Sequence, residues 1–320
     1  MSSGEWPGQT YLNRPKIPIF MLKCPTTYDD GRMDLGELYS SFFKLNGHGW
    51  NSKQLCLSKT AIDNKKYSLP IFSFNSKRKG DAIWFISGIH GEEPAGPNAL
   101  AKCVDLFAEL SNHYPIVLLP LCNPVGYAKN WRYINMKTSS PKGFSVGDSG
   151  HLLLGKDNAP RTSNPLSLES KALASHVIEL SKSYHPKFVF DLHEDSMSEL
   201  GYVYCHGDKS LAKSAVGILE MNGVHAHISG QTRFGEKIND GIIGAAEDGS
   251  IDELLSSEKI IVDGKYTVGP CADNVLVIET PSKNTAIEKR IQAHFSLVHH
   301  TVAKLGIIGR THSFPYYVNP

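Results

Sequence analysis

The chain has 320 residues, of which 41% are hydrophobic and 20% are charged, and it contains 28 Gly and 18 Pro. This balance is typical of a folded globular protein and excludes extended disorder and collagen-like repeats. Lys and Arg total 33 and Asp and Glu total 32, so the formal net charge is +1. Because there is no net positive charge, we expect neither a dedicated nucleic-acid binder nor a binder of anionic membranes.

The first twenty residues and the cysteines bear on where the protein works. Residues 1–20 lack a basic segment followed by an apolar one, so they do not resemble a secretory signal. No apolar run is long enough to cross a bilayer. We therefore expect a cytoplasmic protein, with cysteines that are reduced thiols because they are scattered and form no CxxC pair. These are Cys24, Cys56, Cys103, Cys122, Cys205 and Cys271.

The first part of the chain predicts helices and buried strands in alternation. Residues 1–65 indicate only one helix, at 34–45, and we interpret them as an N-terminal extension. Two strands follow at 67–75 and 81–88, the second of them apolar and β-branched enough to be buried. A helical stretch comes next, and the apolar run IVLLPL predicts another buried strand.

The second part of the chain continues the alternation. Residues 229–265 are rich in Gly, Ser and charge, so we interpret them as an irregular insertion at the rim of a cleft. Strands that alternate with helices predict an α/β fold with a mixed, largely parallel sheet, in a single domain over 1–320. The predicted strands are 187–193, 201–205 and 274–280, and the predicted helices are 168–184, 211–222 and 286–305.

Reactive side chains follow three of these strands, where sites of open α/β sheets form. His90 and Glu93 make an HxxE pair after the first strand, and imidazole nitrogen and carboxylate oxygen both suit Zn²⁺. A catalytic zinc needs a third protein ligand, and His193 is the natural choice. Asp191 lies two residues earlier on the same strand and is suited to orient an imidazole. Glu279 ends the last strand, where capping of the next segment is its alternative role.

Four segments in order, GIHGEEPAG, LCNPVGYAKNWR, FDLHED and VIETP, resemble the zinc carboxypeptidases of the M14 metallopeptidase superfamily. That superfamily includes the succinylglutamate desuccinylase and aspartoacylase branch. The resemblance covers roughly residues 67–305. It implies a three-layer α/β/α sandwich around a mixed eight-stranded sheet, with one zinc ion per chain.

Carried over residue by residue, the resemblance makes His90, Glu93 and His193 the zinc ligands. It also implies that Glu279 is the general base that takes a proton from water. Arg132 stands in the place of an arginine that stabilises the oxyanion, although a surface arginine in a turn is an equal alternative.

The sequence departs from the family where substrate is held. Carboxypeptidases grip the terminal carboxylate with an Asn-Arg motif, and the corresponding stretch 143–152, GFSVGDSGHL, contains none. Arg161, Arg233 and His151 are candidate replacements, each with an ordinary surface or loop role as its alternative. This departure weighs against ordinary C-terminal exopeptidase activity.

Other side chains near the motifs have less certain roles. A substrate-side tyrosine has no secure match. Three acids, Glu92, Glu194 and Asp195, exceed what one zinc requires, and we interpret them as solvated loop acids rather than as ligands of a cationic group or modulators of the metal. The tyrosines that stand between His193 and Glu279 in the sequence are Tyr202, Tyr204 and Tyr266.

The leading hypothesis is a zinc-dependent metallopeptidase of the carboxypeptidase type that hydrolyses an amide bond in a small peptide. One alternative is a deacylase of N-acyl amino acids, which would share the metal site and differ in the substrate pocket. The other is a non-catalytic binding protein that retains the fold. The intact ligand set and Glu279 weigh against that last alternative.

Overall fold

A ten-stranded mixed sheet forms the centre of the protein in the computed structural model, which describes residues 28–134, 143–232 and 234–304. The strands are numbered in chain order. Across the sheet they run β1 (Asn51–Ile62), β2 (Lys65–Asn75), β4 (Ile116–Leu119), β3 (Gly80–Ser87), β5 (Tyr184–Asp195), β12 (Asn274–Pro281), β6 (Tyr202–His206), β9 (Ile242–Gly244), β8 (Lys237–Asn239) and β7 (Ser229–Gln231). A separate hairpin pairs β10 (Lys259–Val262) with β11 (Lys265–Val268).

The strand directions confirm a mixed α/β fold and correct its size. The four neighbours β4, β3, β5 and β12 are parallel, and so are β6 and β9. The other neighbouring pairs in the sheet are antiparallel. The expected eight strands are therefore wrong, since the described part of the sheet has ten, and the parallel character is concentrated in its centre.

Eight α-helices and one short 3-10 helix, Lys44–His48, accompany the sheet within the described ranges. The α-helices are α1 (Leu35–Phe43), α2 (Ala95–Lys102), α3 (Val104–Leu110), α4 (Pro124–Lys129), α5 (Leu168–Ser181), α6 (Lys209–Met221), α7 (Ile251–Ser256) and α8 (Ile287–Lys304). Helix α8 contacts α2 and α6, whereas α5 contacts α7 and β1. The three-layer arrangement stays a prediction. None of the described helices is both long and apolar enough to cross a membrane.

The central strands consist of consecutive apolar residues, and both of their faces are buried. In β3, residues 82–87 are buried without a break, although successive side chains point to opposite faces. Both faces of the sheet are therefore covered at this strand, as the sequence pattern of a buried parallel strand predicts. His90 and Glu93 lie on the loop that follows β3. Because β3 is buried in the core, the start of this loop is fixed.

The part of the presumed N-terminal extension that the structure describes is built into the fold. Strand β1 pairs with β2 along its whole length through a turn at Asp63 and Asn64, both with positive φ. Leu35, Leu38 and Phe42 of α1 are fully buried. Residues 28–65 thus supply an edge strand and part of the hydrophobic core, which their composition did not reveal.

Residues 229–265 are regular rather than irregular. They form the short strands β7, β8 and β9, the helix α7 and most of the β10–β11 hairpin. Several of their residues line a cavity beside the strand ends, among them Glu236, Asp248 and Asp252. Their role as an insertion at the rim of a cleft stays a prediction, whereas the expected lack of regular structure is wrong.

The remaining predicted elements occur with shifted ends. Helix α5 begins with a capping box in which Ser167 and Ser170 bond each other's backbone N–H. It ends at Ser181, and Tyr184 already belongs to β5, because His185 and Pro186 continue the strand. All the cysteines in the described part are free, and Cys24 lies outside it.

Candidate metal and catalytic site

The loop after β3 brings the HxxE pair against the start of α4. This close approach requires glycine at position 91, because a Cβ there would lie 2.0 Å from the carbonyl carbon of Gly126. Asn123 caps α4 by accepting a hydrogen bond from Gly126 N at 2.8 Å. The Asn123 side chain also donates to the Arg132 carbonyl at 3.1 Å. The Asn-Pro-x-Gly segment therefore fixes both the HxxE loop and the position of Arg132.

Three donor side chains converge at the carboxyl ends of β3 and β5. His90 Nδ1 lies 2.8 Å from Glu93 Oε1, and His193 Nδ1 lies 2.9 Å from Glu93 Oε2. The two Nδ1 atoms are 3.2 Å apart. One ligand atom from each of the three residues lies within 4.8 Å of the other two. Among the described residues, these three are the group of His, Cys, Asp or Glu side chains close enough together to hold a metal ion.

The chemistry and spacing of these donors fit a zinc ion. Two imidazole nitrogens and a carboxylate oxygen form a three-ligand set known from catalytic zinc sites. With bonds of about 2.0–2.1 Å in a tetrahedral arrangement, donor atoms stand about 3.3 Å apart, close to the separations seen here. Glu93 and His193 are buried and His90 is only slightly exposed, so the donors are held in place.

Asp191 lies against the far nitrogen of His193. Its Oδ1 is 3.2 Å from His193 Nε2, and its side chain is buried. A carboxylate at this nitrogen holds the proton there and leaves Nδ1 free to bind a metal. Burial opposes a charged His193, but the carboxylates of Asp191 and Glu93 outweigh it and raise the pKa of His193 well above its usual range.

Glu279 lies next to the donors on the neighbouring strand. The register of β12 against β5 places it opposite His193, and its half-buried side chain lines the cavity. Burial raises the pKa of the Glu279 carboxyl to about 8, with Glu93 and Asp195 adding to the rise and His193 opposing it. A carboxyl with a pKa near neutrality can both accept and donate a proton, as a general acid–base group must.

Arg132 reaches the same place from the end of α4. Its Nη1 lies 2.9 Å from Glu93 Oε1 and 3.3 Å from Glu92 Oε1, and the side chain lines the cavity. The guanidinium is therefore a cation beside the donor set. Its contact with Glu93 also means that it neutralises part of the charge of that carboxylate.

The three additional acids are not solvated loop residues. Glu194 is buried, its Oε1 accepts a hydrogen bond from Ala95 N at 2.6 Å, and its carboxylate forms an ion pair with Arg290 of α8. Asp195 accepts from the hydroxyl of Tyr202 at 2.7 Å. Glu92 pairs with Arg132, so each of the three acids has a bonded partner.

The cavity at the site has a volume of about 460 Å³ and an acidic lining. Its walls contain eight Asp and Glu residues but only one Arg and no Lys among the described residues. Tyr202 and Tyr204 line it, whereas Tyr266 is exposed on the β10–β11 hairpin and donates to the Asn158 carbonyl. Of the tyrosine candidates, two are thus near the donor set.

Two of the three candidates for holding a substrate carboxylate are not at the cavity. Arg161 forms an ion pair with Glu253, and neither it nor His151 belongs to the cavity lining. Arg233 lies outside the described residues. The described part of the site therefore offers Arg132 alone as a cation, and that cation is paired with two carboxylates.

Comparisons with solved structures show what the fold is similar to. A candidate metallopeptidase from Shewanella baltica OS155 matches with a TM-score of 0.63 at 19% identity, covering 83% of this chain and 91% of that one. One from Shewanella amazonensis SB2B gives a TM-score of 0.63 at 22% identity, with coverage of 84% and 92%. Carboxypeptidase A from Helicoverpa armigera gives 0.52 at 12% identity, with coverage of 85% and 71%.

No family model matches the chain, and no curated protein matches it significantly. The structural likeness nevertheless confirms the resemblance inferred from the four sequence segments, at the level of the fold. This chain has the fold of metallopeptidases and carboxypeptidases.

Proposed function

We propose that this protein is a zinc-dependent hydrolase that cleaves an amide bond in a peptide, with one zinc ion held by His90, Glu93 and His193. The observation that carries the proposal is the convergence of their donor atoms, at 2.8–3.2 Å from one another, with Glu279 on the adjacent strand. The fold shared with carboxypeptidases supports the same reaction class. A cytoplasmic location remains a prediction from the sequence.

The chemistry that zinc supplies in such a site is polarisation of the carbonyl and a lower pKa of bound water. Glu279 would hold the proton given up by the attacking water on a carboxylate oxygen and pass it to the nitrogen of the leaving amine. Its position in a partly closed cavity, beside His193 on the neighbouring strand, suits both transfers. Asp191 holds His193 in the orientation that leaves Nδ1 available.

Arg132 supplies positive charge where negative charge develops on the carbonyl oxygen. A guanidinium fixed beside the reacting group stabilises that charge more effectively than water does. The backbone of Arg132 is held by Asn123 and by Gly91, whose N–H donates to the Arg132 carbonyl at 3.3 Å. The backbone of Arg132 is therefore fixed beside the donor set.

Metal analysis tests the ligand assignment directly. We expect about one zinc per chain in protein purified without added metal, and a loss of most of it in His193→Ala. His225→Ala is the matched control, since His225 is an exposed histidine whose ring contacts Glu220. Wild-type protein without stoichiometric metal, or His193→Ala with as much as the wild type, contradicts the proposal.

A hydrolysis screen with the zinc-loaded chain then tests the reaction. The panel contains C-terminal dipeptides, γ-glutamyl and cell-wall peptides, and N-acyl amino acids. Cleavage of peptides supports the proposal, and cleavage of N-acyl amino acids alone supports the deacylase alternative. A zinc-loaded chain that cleaves none of them is better described as a binding protein with this fold.

A further inference from the structure

Two loops at the cavity carry carboxylates that the catalytic proposal does not use. Asp148 lies on the loop before residue 150, and Asp248 and Asp252 lie at the start of α7. The loops are joined by a hydrogen bond from Ser149 N to the Gly249 carbonyl at 2.7 Å. All three carboxylates line the same cavity as the donor set. We call Asp148, Asp248 and Asp252 the acidic wall.

The acidic wall lacks a cation of its own. Within the described ranges no Lys, Arg or His forms an ion pair with these acids, and Asp148 and Asp248 accept hydrogen bonds from neighbouring backbone. Ser145 N donates to Asp148 at 3.0 Å, and Ser250 N donates to Asp248 at 3.0 Å. Burial raises the pKa of Asp252 to about 7, with the charge of Asp248 adding to the rise. The fold thus leaves the repulsion among these carboxylates unrelieved.

Asp191 gives an independent indication of a ligand in the same cavity. Its side chain is fully buried and lines the cavity, and its Oδ2 accepts no hydrogen bond from the described residues. Oδ1 has its ion-pair contact with His193, but Oδ2 has no such contact. A buried carboxylate oxygen without a donor is costly, so a donor from a bound molecule would stabilise it.

The balance of charge identifies the class of molecule. Eight carboxylates and one guanidinium line the described cavity. That guanidinium, Arg132, is paired with Glu92 and Glu93, and one of the eight carboxylates, Glu194, is paired with Arg290 behind the cavity. A divalent ion on the donor set would leave this lining negative. A negative cavity attracts cations and repels anions, which disfavours a substrate whose recognised group is a carboxylate.

We propose that the acidic wall and Asp191 select an amide substrate with a basic side chain, whose ammonium or guanidinium group binds in this cavity. The proposal rests on the proposed function for the position of the scissile amide. Binding of the cation itself needs no turnover, so the two can be tested apart.

Calorimetric titration of zinc-loaded Glu279→Gln protein at pH 8 tests the selection. The probes are two series with uncharged ends, N-acetyl-Xaa-Ala-amide and N-acetyl-Ala-Xaa-amide, in which Xaa is Lys, norleucine or Glu. We expect the Lys member of at least one series to bind about tenfold more tightly than the norleucine member. The Glu member should bind most weakly. Raising the salt concentration to 0.5 M should reduce the Lys preference.

Substitutions in the acidic wall locate the effect. Asp252→Asn and, separately, Asp148→Asn should each lower the ratio of Lys to norleucine affinity about threefold to fivefold. Two separate variants are used so that a folding defect in one leaves the other informative. The matched control is Asp263→Asn, which makes the same charge change in the exposed turn of the β10–β11 hairpin and should keep the ratio.

The outcomes separate this inference from the proposed function. Equal binding of Lys and norleucine members in both series, tighter binding of Glu, or binding of no probe overturns the selection. A Lys preference that survives both wall substitutions also overturns it. Wild-type protein that shows the Lys preference but hydrolyses no amide refutes the proposed reaction and leaves the selection intact.

Discussion

At the scale of single residues, Glu279 separates metal binding from catalysis. It lines the cavity beside His193 but is not one of the converging donors. We expect Glu279→Gln to retain zinc and to lose about 10²–10⁴-fold in kcat/KM, because an amide cannot accept the proton of water. Glu199→Gln, the same change at an exposed ion pair, is the control and should keep full activity. Wild-type turnover by metal-loaded Glu279→Gln would remove Glu279 from the role of base.

Arg290 and Glu194 form a second residue-scale test, of packing behind the metal site. Both side chains are largely buried, and Glu194 also holds Ala95 N at the start of α2. Arg290→Met leaves a buried carboxylate without its cation, so we expect the free energy of unfolding to fall by roughly 3–5 kcal/mol. Urea unfolding measures the loss. Lys182→Met, at an exposed ion pair with Glu179, should change the stability little, and an equal loss in both variants would contradict a special role for the buried pair.

At this scale, the site residues that the sequence predicts are those marked by their residue type and by their position at the end of a strand. Imidazole and carboxylate groups follow buried strands at His90, Glu93 and His193, and the structure brings these three side chains together. The sequence does not reveal that Glu194 is buried, because its partner Arg290 is far away in the chain and no local pattern indicates that contact. Packing of distant side chains, rather than their chemistry, was the missing information.

At the scale of elements, hydrophobic pattern decided which strands could be predicted. The central strand β3 has six consecutive buried residues, so its sequence indicates burial directly. The edge strand β1 is mostly exposed, and its polar residues gave no alternation to detect. The strands β7, β8 and β9 have three residues each, which is too short for a periodic signal. These elements exist because neighbouring strands offer them hydrogen-bonding partners.

Helix α5 contains a titratable group that should make stability depend on pH. His176 is buried, neither ring nitrogen has a hydrogen-bond partner among the described residues, and burial lowers its pKa to about 4. The unfolded chain, with a histidine pKa of about 6.5, therefore takes up the proton first as the pH falls. The contribution of neutral His176 to stability is complete above about pH 6.5 and is lost progressively down to about pH 4.

The measurement compares wild type with His176→Met, which cannot titrate. Between pH 7 and pH 5 the wild type should lose about 2 kcal/mol of unfolding free energy relative to the variant, because protonation favours its unfolded state. Urea unfolding at both pH values gives the difference, and titrations common to both proteins cancel. The exposed His225→Met should show no such change relative to wild type. A constant difference between wild type and His176→Met would show that His176 does not titrate in this way.

At the scale of the whole molecule, the site depends on parts of the chain that are far apart in sequence. The donors come from the β3 loop and β5, the proposed base from β12 and the cation from the end of α4. The N-terminal part joins them, because Arg32 is buried and donates to the Gly91 carbonyl at 3.3 Å within the HxxE loop. The order of the motifs predicted the central part of this arrangement, but composition could not show that residues 28–65 support it.

This connection predicts that the N-terminal part and the metal site unfold together. Leu38 of α1 is fully buried, and α1 packs on α2, which follows the HxxE pair. Leu38→Ala should lower the free energy of unfolding by about 2–5 kcal/mol through the lost burial and the cavity left behind.

If the described chain is one cooperative unit, zinc release and loss of circular dichroism in Leu38→Ala will move to the same lower urea concentration. The control Glu37→Ala changes an exposed residue of the same helix. It should lower the free energy of unfolding by less than about 1 kcal/mol, so both transitions should stay near their wild-type urea concentrations. Should residues 28–65 instead fold as an independent extension, Leu38→Ala would leave the midpoint of zinc release at its wild-type value while part of the dichroism was lost earlier. Coincident transitions would therefore place the domain boundary outside residues 28–65, because the burial of α1 would then be required for the metal site to persist.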